Sequence, residues 1–315
     1  MPPLIKPPKL RPHATLGIVA PASPMKPDKL ERGIRYLEKL GYRVELGDSV
    51  YERNGYLAGT DEQRANDLMR MFVRPDIDAI FCVRGGYGTP RLLNRLDYDL
   101  IRRYPKILVG YSDITALQLA LFQTCGLITF TGPMVAVEMA DEKLDPRTEE
   151  QFWRTLTGDP ELPALFPLQE DGWEAKIDRD VRGPLLGGCL SLVSRVLGTP
   201  FAPSFENAIL LLEDVGEEPY RIDGYLAHLR NAGILQQIRG AVLGRFEDCE
   251  PKPDQPSLSL EQVLSQYFDP LEIPVIYRFD YGHGKIKHTL PIGLPVMMRR
   301  EPLSLEFVEP AFADV

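Results

Sequence analysis

Residues 106–117 read KILVGYSDITAL, an apolar β-branched run followed by a run with the character of a helix. The first run is typical of a buried parallel strand, and the residues from Asp113 onward predict a helix. Ser112 is therefore predicted to lie on the turn between them. A serine on a sharp strand-to-helix turn has its hydroxyl raised clear of the sheet, and the next backbone N–H points toward the same place. The stretch predicts either an acyl-transfer nucleophile or a serine that only caps the helix.

Strands and helices alternate on both sides of this stretch. Alternation of this kind implies a parallel, right-handed βαβ sheet with helices on both faces, so we predict an α/β, doubly wound and mostly parallel N-terminal domain. The domain is predicted over residues 15–140, after a leader at residues 1–14. Its other strands are predicted at residues 15–20, 42–46, 78–83 and 128–130, with helices from about residues 28 and 60.

The rest of the chain is predicted to form a second α/β domain. Residues 141–182 are rich in proline and charge, which predicts an interdomain linker with one short helix near residues 149–156. Residues 183–315 then contain apolar strands near residues 208–212 and 240–244, with helices between and after them. Two domains also agree with a length of 315 residues, at roughly 150 residues per domain.

Composition excludes several partner classes. A net charge of -9 offers nothing to attract nucleic acid or an anionic membrane. No run approaches the ~18 apolar residues of a membrane span, and the proline-broken start lacks the apolar core of a secretory signal, so we predict a cytoplasmic protein. The cysteines are dispersed, which predicts buried thiols outside disulfides and no metal site. They are Cys82, Cys125, Cys189 and Cys249.

Glycines cluster directly after the third predicted strand, where residues 84–90 read RGGYGTP. Three glycines in four positions permit backbone conformations in which N–H groups converge on an anion or an oxyanion. A plain tight turn is the alternative, and neither common phosphate-binding glycine motif is present. Ligands bind beyond the carboxyl ends of strands in open parallel sheets, and Ser112 ends the neighbouring strand. An oxyanion hole is therefore a natural role for this loop.

A serine nucleophile needs a base, and the chain offers four histidines. His13 lies in the leader, and His228 lies inside a predicted helix. His283 follows an apolar strand and stands between two glycines, which suits a histidine that reaches into a cleft. His288 stays a competitor, on a segment that we expect to face solvent.

A third residue should orient the base and stabilise its imidazolium form. Glu213 and Asp214 end a strongly apolar strand, so either could reach into a cleft, although a charge at that position is also common where a strand simply meets water. Glu217, Glu218 and Asp223 are further candidates.

Several linked motifs resemble one known family. In order they are VRGGYG at 83–88, GYSD at 110–113, LEDV at 212–215, PYRID at 219–223, and GH at 282–283 followed by TLPIG at 289–293. Together they are similar to the LD-carboxypeptidase family of serine peptidases, which also contains the microcin C immunity proteins. The match extends in order over nearly the whole chain, from Gly17 to about Pro295.

The resemblance implies a catalytic triad with Ser112 as nucleophile, Glu213 as the orienting carboxylate and His283 as general base. It implies an oxyanion hole made by the backbone N–H groups of Gly86 and Asp113. The expected reaction removes the terminal D-alanine from an L,D-configured murein tetrapeptide, without a cofactor, in a cytoplasmic homodimer that serves cell-wall recycling. Because the acid and base belong to the second domain, the active site is expected at the domain interface.

Two departures limit what the resemblance implies. Gly224 stands where many relatives carry arginine, so the resemblance implies no substrate contact at that position. Ile114 stands where the G-x-S-x-G motif needs its last glycine, which disfavours a standard α/β-hydrolase. Two alternatives stay open. One is a hydrolase of the microcin-immunity type that acts on peptidyl- or aminoacyl-nucleotides, and the other is a small-ligand binder without catalysis.

Overall fold

The computed structural model describes residues 2–158, 165–167 and 174–313. The chain divides into two compact units, which we call unit 1 and unit 2. Unit 1 contains Met1–Leu162, His288–Gly293 and Pro310–Val315, and unit 2 contains Pro163–Lys287 and Leu294–Glu309.

These units differ from the predicted domains in the segments of the chain that each one contains. Unit 1 includes the helix of the predicted linker and two short segments from the C-terminal part of the chain. Residues 159–164 and 168–173 of the predicted linker lie outside the described residues.

Strands and helices are numbered in chain order. The strands are β1 Thr15–Val19, β2 Arg43–Leu46, β3 Ala79–Cys82, β4 Ile107–Val109, β5 Thr129–Thr131, β6 Leu165–Pro167, β7 Glu174–Lys176, β8 Val181–Cys189, β9 Ile209–Val215, β10 Gly240–Glu247, β11 Val275–Tyr277, β12 Leu290–Ile292, β13 Pro295–Arg299 and β14 Ser304–Phe307. The α-helices are α1 Pro27–Lys39, α2 Asp61–Val73, α3 Tyr98–Arg103, α4 Ile114–Cys125, α5 Pro146–Thr157, α6 Leu190–Val196, α7 Pro219–Asn231 and α8 Leu260–Phe268.

Unit 1 is built on a sheet with the strand order β12-β5-β4-β3-β1-β2. Strands β1 to β5 pair in parallel, which confirms the predicted α/β sheet. Every residue of β3, β4 and β5 is buried, as expected for strands covered on both faces. The prediction that the whole C-terminal part belongs to the second domain is wrong for β12, which pairs antiparallel with β5. Its apolar residues complete the edge of this sheet instead.

Helix α2 begins close to residue 60, as predicted, and Thr60 is its N-cap. Thr60 Oγ1 accepts the N–H of Gln63 at 3.2 Å, and Gln63 Oε1 accepts the N–H of Thr60 at 2.8 Å. This capping box satisfies two backbone donors that the first helical turn would otherwise leave without partners.

Unit 2 is built on a mixed sheet with the order β6-β14-β13-β8-β9-β10-β11-β7. Strands β8, β9, β10 and β11 pair in parallel, and the outer strands pair antiparallel. Residues 209–214 of β9 are all buried, since this strand lies inside the sheet. The acidic residues Glu213 and Asp214 at its carboxyl end are therefore held out of solvent.

All four cysteines are described and buried, and none of them forms a disulfide, as predicted. Burial raises the pKa of Cys125 and Cys249 to about 11, so both thiols stay protonated at neutral pH. In the part of the chain that the structure describes, no helix is long and apolar enough to cross a bilayer.

Candidate active site

Ser112 lies on a strained turn at the carboxyl end of β4. Its φ angle is +64°, a left-handed conformation that costs a residue with a side chain about 1–2 kcal/mol. Helix α4 begins at Ile114, and its N-cap residue is Asp113. Ser112 therefore precedes the N-cap residue. The alternative interpretation, in which Ser112 only caps the helix, is wrong. Strain of this kind is frequent where a side chain must be presented for chemistry.

The glycine-rich loop after β3 approaches Ser112 closely. A Cβ atom built on Gly85 would lie 2.9 Å from Ser112 Cβ, 3.1 Å from Ser112 Oγ and 3.2 Å from the backbone nitrogen of Asp113. Glycine is therefore needed at position 85 for this approach. Gly86 follows with a φ of +109°, which also favours glycine, and it is exposed. Unit 1 thus brings together the predicted nucleophile and the loop predicted to stabilise an oxyanion.

A threonine that sequence reasoning did not assign ties this loop to the serine turn. The backbone N–H of Thr89 donates to Asp113 Oδ2 at 2.8 Å, and the Thr89 hydroxyl donates to the backbone carbonyl of Asp113. Both side chains are fully buried. These bonds fix the loop against the residue after Ser112. The available signal was a polar residue next to the glycines, but spacing alone could not identify its partner.

In unit 2, the predicted acid and base are hydrogen-bonded to each other. His283 Nδ1 lies 2.7 Å from Glu213 Oε2. The Glu213 side chain is fully buried, whereas the His283 ring is 18 % exposed. A buried carboxylate on Nδ1 fixes the ring orientation and leaves Nε2 as the nitrogen that can exchange a proton with a substrate or nucleophile.

Two glycines make room for this pair. Gly282 has a φ of +102°, and a Cβ atom built on it would lie 2.4 Å from Glu213 Oε2. A Cβ atom built on Gly244 would lie 3.2 Å from Glu213 Cβ. Any side chain at Gly282 would displace the carboxylate that holds His283. The glycine before His283 is therefore required by packing as well as by backbone conformation.

Electrostatics in unit 2 favour a charged imidazolium. Burial by itself lowers the pKa of His283, but the hydrogen bond and the charge of Glu213 outweigh burial, and the net pKa is raised above 6.5. Burial, followed by the neighbouring charge of Glu213, raises the pKa of Asp214. Asp214 accepts the backbone N–H of Ser191 at 2.8 Å, so it supports the start of helix α6.

The other carboxylate candidates have partners of their own. Glu217 lies 3.6 Å from Arg221, and Glu218 forms an ion pair with Lys252 at 2.7 Å. Asp223 accepts a hydrogen bond from the hydroxyl of Tyr267. None of these contacts involves a histidine.

The other histidines also lie in different surroundings. His13 contacts the carbonyl of Gly41, and His228 Nδ1 lies 2.8 Å from the hydroxyl of Ser194. His288 belongs to unit 1. The expectation that its segment faces solvent is wrong, because its neighbours Lys287 and Thr289 are 4 % and 0 % exposed. The backbone N–H of Thr289 donates to Gln151 Oε1 at 2.7 Å, and its carbonyl accepts from Gln151 Nε2 at 3.0 Å, so helix α5 covers the start of this segment.

We expect EDTA to leave the activity of the protein unchanged. Among the described residues, no three His, Cys, Asp or Glu side chains are grouped so that they could hold a metal ion. The measurement is the rate of hydrolysis after dialysis against EDTA and again after addition of Zn²⁺ or Mg²⁺. A loss that either metal restores would contradict the prediction.

Family models match both parts of the chain. The LD-carboxypeptidase N-terminal domain matches residues 16–132, and the LD-carboxypeptidase C-terminal domain matches residues 182–298. The first match contains the serine turn and the glycine-rich loop, and the second contains Glu213 and His283.

Individual relatives cover nearly the same length. A probable murein peptide carboxypeptidase of Bacillus subtilis (strain 168) is 39% identical, over 93% of this chain and 91% of its own. A murein tetrapeptide carboxypeptidase of Pseudomonas aeruginosa is 35% identical, over 88% and 91%.

Solved structures share the fold. The muramoyltetrapeptide carboxypeptidase from Oxalobacter formigenes has a TM-score of 0.79 at 29% identity, over 93% of this chain and 97% of its own. MccF in complex with glutamyl sulfamoyl guanosine has a TM-score of 0.90 at 24% identity, over 99% and 100%.

Proposed function

The chain belongs to the LD-carboxypeptidase family of serine peptidases, and from that premise we propose that it removes the terminal D-alanine from an L,D-configured murein tetrapeptide. The observation that carries the chemistry is the 2.7 Å hydrogen bond between His283 and the buried Glu213. The names of the relatives at 39% and 35% identity support the substrate class.

The proposed triad combines Ser112 of unit 1 with the Glu213–His283 pair of unit 2. We propose that the two units meet at the active site, as the family resemblance implies. His283 takes the Ser112 proton, and the alkoxide attacks the scissile carbonyl carbon to form a tetrahedral intermediate. The N–H groups of Gly86 and Asp113 are proposed to stabilise its negative oxygen, a contribution that is often the largest single one in acyl transfer.

Collapse of the intermediate releases D-alanine. Protonated His283, which is stabilised by the charge of Glu213, gives its proton to the leaving nitrogen as the C–N bond breaks, and the acyl group stays on Ser112. A water molecule then loses a proton to His283 and attacks the acyl-enzyme. Breakdown of the second intermediate returns the proton to Ser112 and releases the shortened peptide.

The substrate assay compares two classes of amide. We expect mass spectrometry of a murein tetrapeptide incubated with the protein to show the loss of one alanine residue. The matched assay uses a peptidyl- or aminoacyl-nucleotide of the microcin type, since a structure of MccF shares this fold. Cleavage of the nucleotide conjugate alone would replace the murein substrate with the alternative class. Cleavage of neither would contradict the proposed function.

The value of kcat/KM should rise with increasing pH, and the midpoint of that rise should lie above pH 6.5. The base must be neutral to accept a proton, and Glu213 raises the pKa of His283 above 6.5 in spite of its burial. Glu213→Gln removes the charge, so the midpoint should move to lower pH in that variant as kcat/KM falls. The free energy of unfolding of the wild-type protein should fall over the same pH range in which kcat/KM rises. The charged His283–Glu213 pair contributes fully to stability below the pKa of His283 in the unfolded chain, and this contribution is lost as the pH rises through the pKa in the folded protein. A midpoint that does not move in Glu213→Gln would contradict this assignment.

We also propose a cytoplasmic location, a homodimeric state and a role in peptidoglycan recycling, without a nucleic-acid partner. The net charge of -9 supports the last point, because it disfavours binding to a polyanion. Sedimentation analysis of the purified protein tests the dimer, and a single species of 35.5 kDa would contradict it.

A further inference from the structure

Two polar side chains lie beside Gly86, beyond the carboxyl ends of two central strands of the unit 1 sheet. The strand order β2-β1-β3-β4-β5 reverses its direction of growth between β1 and β3, where doubly wound sheets form their ligand crevice. Ser23 follows the carboxyl end of β1, and Arg84 follows the carboxyl end of β3. Neither residue has a role in the proposed triad or oxyanion hole.

Arg84 is a partly buried cation, and the described residues provide no anion that pairs with it. Its Nε atom is buried and has no hydrogen-bond partner, and no described residue forms an ion pair or hydrogen bond with its guanidinium. The nearby arginines Arg64 and Arg91 differ, because both bind the carboxylate of Asp61. Removing a charge from water without a partner is unfavourable, and a ligand that supplies an anion would offset that cost.

Distances place Arg84 and Ser23 on the same loop residue. A Cβ atom built on Gly86 would lie 3.6 Å from Arg84 Nη2 and 2.5 Å from Ser23 Oγ. Ser23 Oγ accepts the N–H of Tyr87 at 3.1 Å. A hydroxyl group that accepts one hydrogen bond still has its own proton to donate. A guanidinium and a hydroxyl therefore flank Gly86, and both are donors suited to a carboxylate.

We propose that Arg84 and Ser23 bind the free α-carboxylate of the residue that is removed. The inference rests on the proposed function, in which the oxygen of the scissile carbonyl contacts the N–H of Gly86. Three bonds of about 1.3–1.5 Å separate that carbonyl carbon from the carboxylate carbon of a C-terminal residue. A carboxylate one residue beyond the cleaved bond is therefore within reach of groups that flank Gly86. This pair of donors, Arg84 and Ser23, is called the carboxylate clamp. It would limit cleavage to one terminal residue, because a longer or blocked peptide places no negative charge beside the pair.

The test compares a tetrapeptide that has a free C-terminal carboxylate with the same peptide as its C-terminal amide. For the wild-type protein we expect kcat/KM to be about 100-fold higher for the acid, since charge-assisted and bidentate hydrogen bonds to arginine depend on the anion. In Arg84→Gln the preference should fall to about threefold or less, mainly through loss of activity on the acid. Ser23→Ala should reduce the preference by a smaller factor, about three- to tenfold.

Controls separate binding of the carboxylate from general damage. Arg84→Lys keeps the charge without the planar fork, so it should restore part of the preference. Arg95→Gln removes an exposed charge from the same unit and should leave the preference unchanged. If Arg84→Gln does not fold, Arg84→Lys decides, because an unchanged preference in that variant contradicts the proposal.

The outcomes distinguish this inference from the proposed function. Equal losses on acid and amide in Arg84→Gln, or an unchanged preference, would overturn the carboxylate clamp while wild-type cleavage of the tetrapeptide keeps the function. Failure of the wild-type protein to cleave the tetrapeptide would overturn both.

Discussion

Replacing Ser112 by alanine is expected to lower kcat/KM on the murein tetrapeptide by at least about 10⁴-fold, or roughly 5.5 kcal/mol of transition-state stabilisation. The reason is that alanine has no hydroxyl group with which to form the acyl-enzyme. Any residual rate would come from the oxyanion donors and from substrate binding, which the variant keeps. The measurement is kcat/KM from the release of D-alanine, with circular dichroism to verify that the variant is folded.

Ser112→Gly is the matched control, because it separates the strain of the turn from the chemistry of the hydroxyl. Ser112 has a φ of +64°, which glycine adopts without penalty. Relief of about 1–2 kcal/mol of strain exceeds the entropy cost of glycine, about 0.5–1 kcal/mol. Ser112→Gly should therefore be roughly 0.5–1 kcal/mol more stable than Ser112→Ala, yet equally inactive. A variant of either kind that retains a tenth of the wild-type activity would remove Ser112 from the role of nucleophile.

The sheet of unit 1 was predictable because its signals are local. Parallel strands β1, β3, β4 and β5 are short buried runs, and β2 alternates polar and apolar residues. The helices between them have their own start and stop signals, such as the capping box at Thr60. Edge strand β12 was not predictable, because its pairing with β5 joins segments that are far apart in the chain. Short apolar runs near a C-terminus carry no information about which sheet they extend.

The candidate site was predictable in its residue types and less so in its contacts. Adjacent residues of a strand point to opposite faces, so the residues alone left both Glu213 and Asp214 open as partners of a histidine. The family resemblance selected Glu213, and the structure pairs Glu213 with His283 and Asp214 with Ser191. Which of the two acidic side chains His283 approaches depends on the backbone at Gly282. The sequence does not reveal the positive φ of Gly282 or the residues that surround it.

Contacts made by buried polar groups were also outside the reach of the sequence. The bonds from Thr89 to Asp113 depend on how the loop after β3 folds against the turn after β4. Likewise, the sequence does not distinguish Arg84 from a surface arginine, because the burial of its Nε atom without a hydrogen-bond partner depends on the fold. Motif spacing shows where chemistry is concentrated, whereas hydrogen-bond accounting shows which polar groups still need a ligand.

His283→Ala is expected to cost about as much activity as Ser112→Ala, at least about 10⁴-fold in kcat/KM. In the proposed mechanism the imidazole both takes the Ser112 proton and protonates the leaving amine, and the variant loses both steps. The variant also removes the 2.7 Å partner of the fully buried Glu213 carboxylate. The variant His283→Ala should therefore also be less stable below pH 6, where the wild-type pair is charged.

The double variant Ser112→Ala/His283→Ala decides whether the two residues act as a unit. Members of a triad are not additive, so the double variant should be within about tenfold of either single one, whereas independent residues would multiply their losses. His13→Ala and His288→Ala are the controls, and each should lose less than about tenfold, or roughly 1.4 kcal/mol. His288→Ala needs a parallel measurement of thermal unfolding, because its neighbours Lys287 and Thr289 are buried and a loss of stability could reduce activity indirectly. Should a folded His288→Ala prove inactive and His283→Ala active, His288 would be the base, and the hydrogen bond between Glu213 and His283 would be only structural.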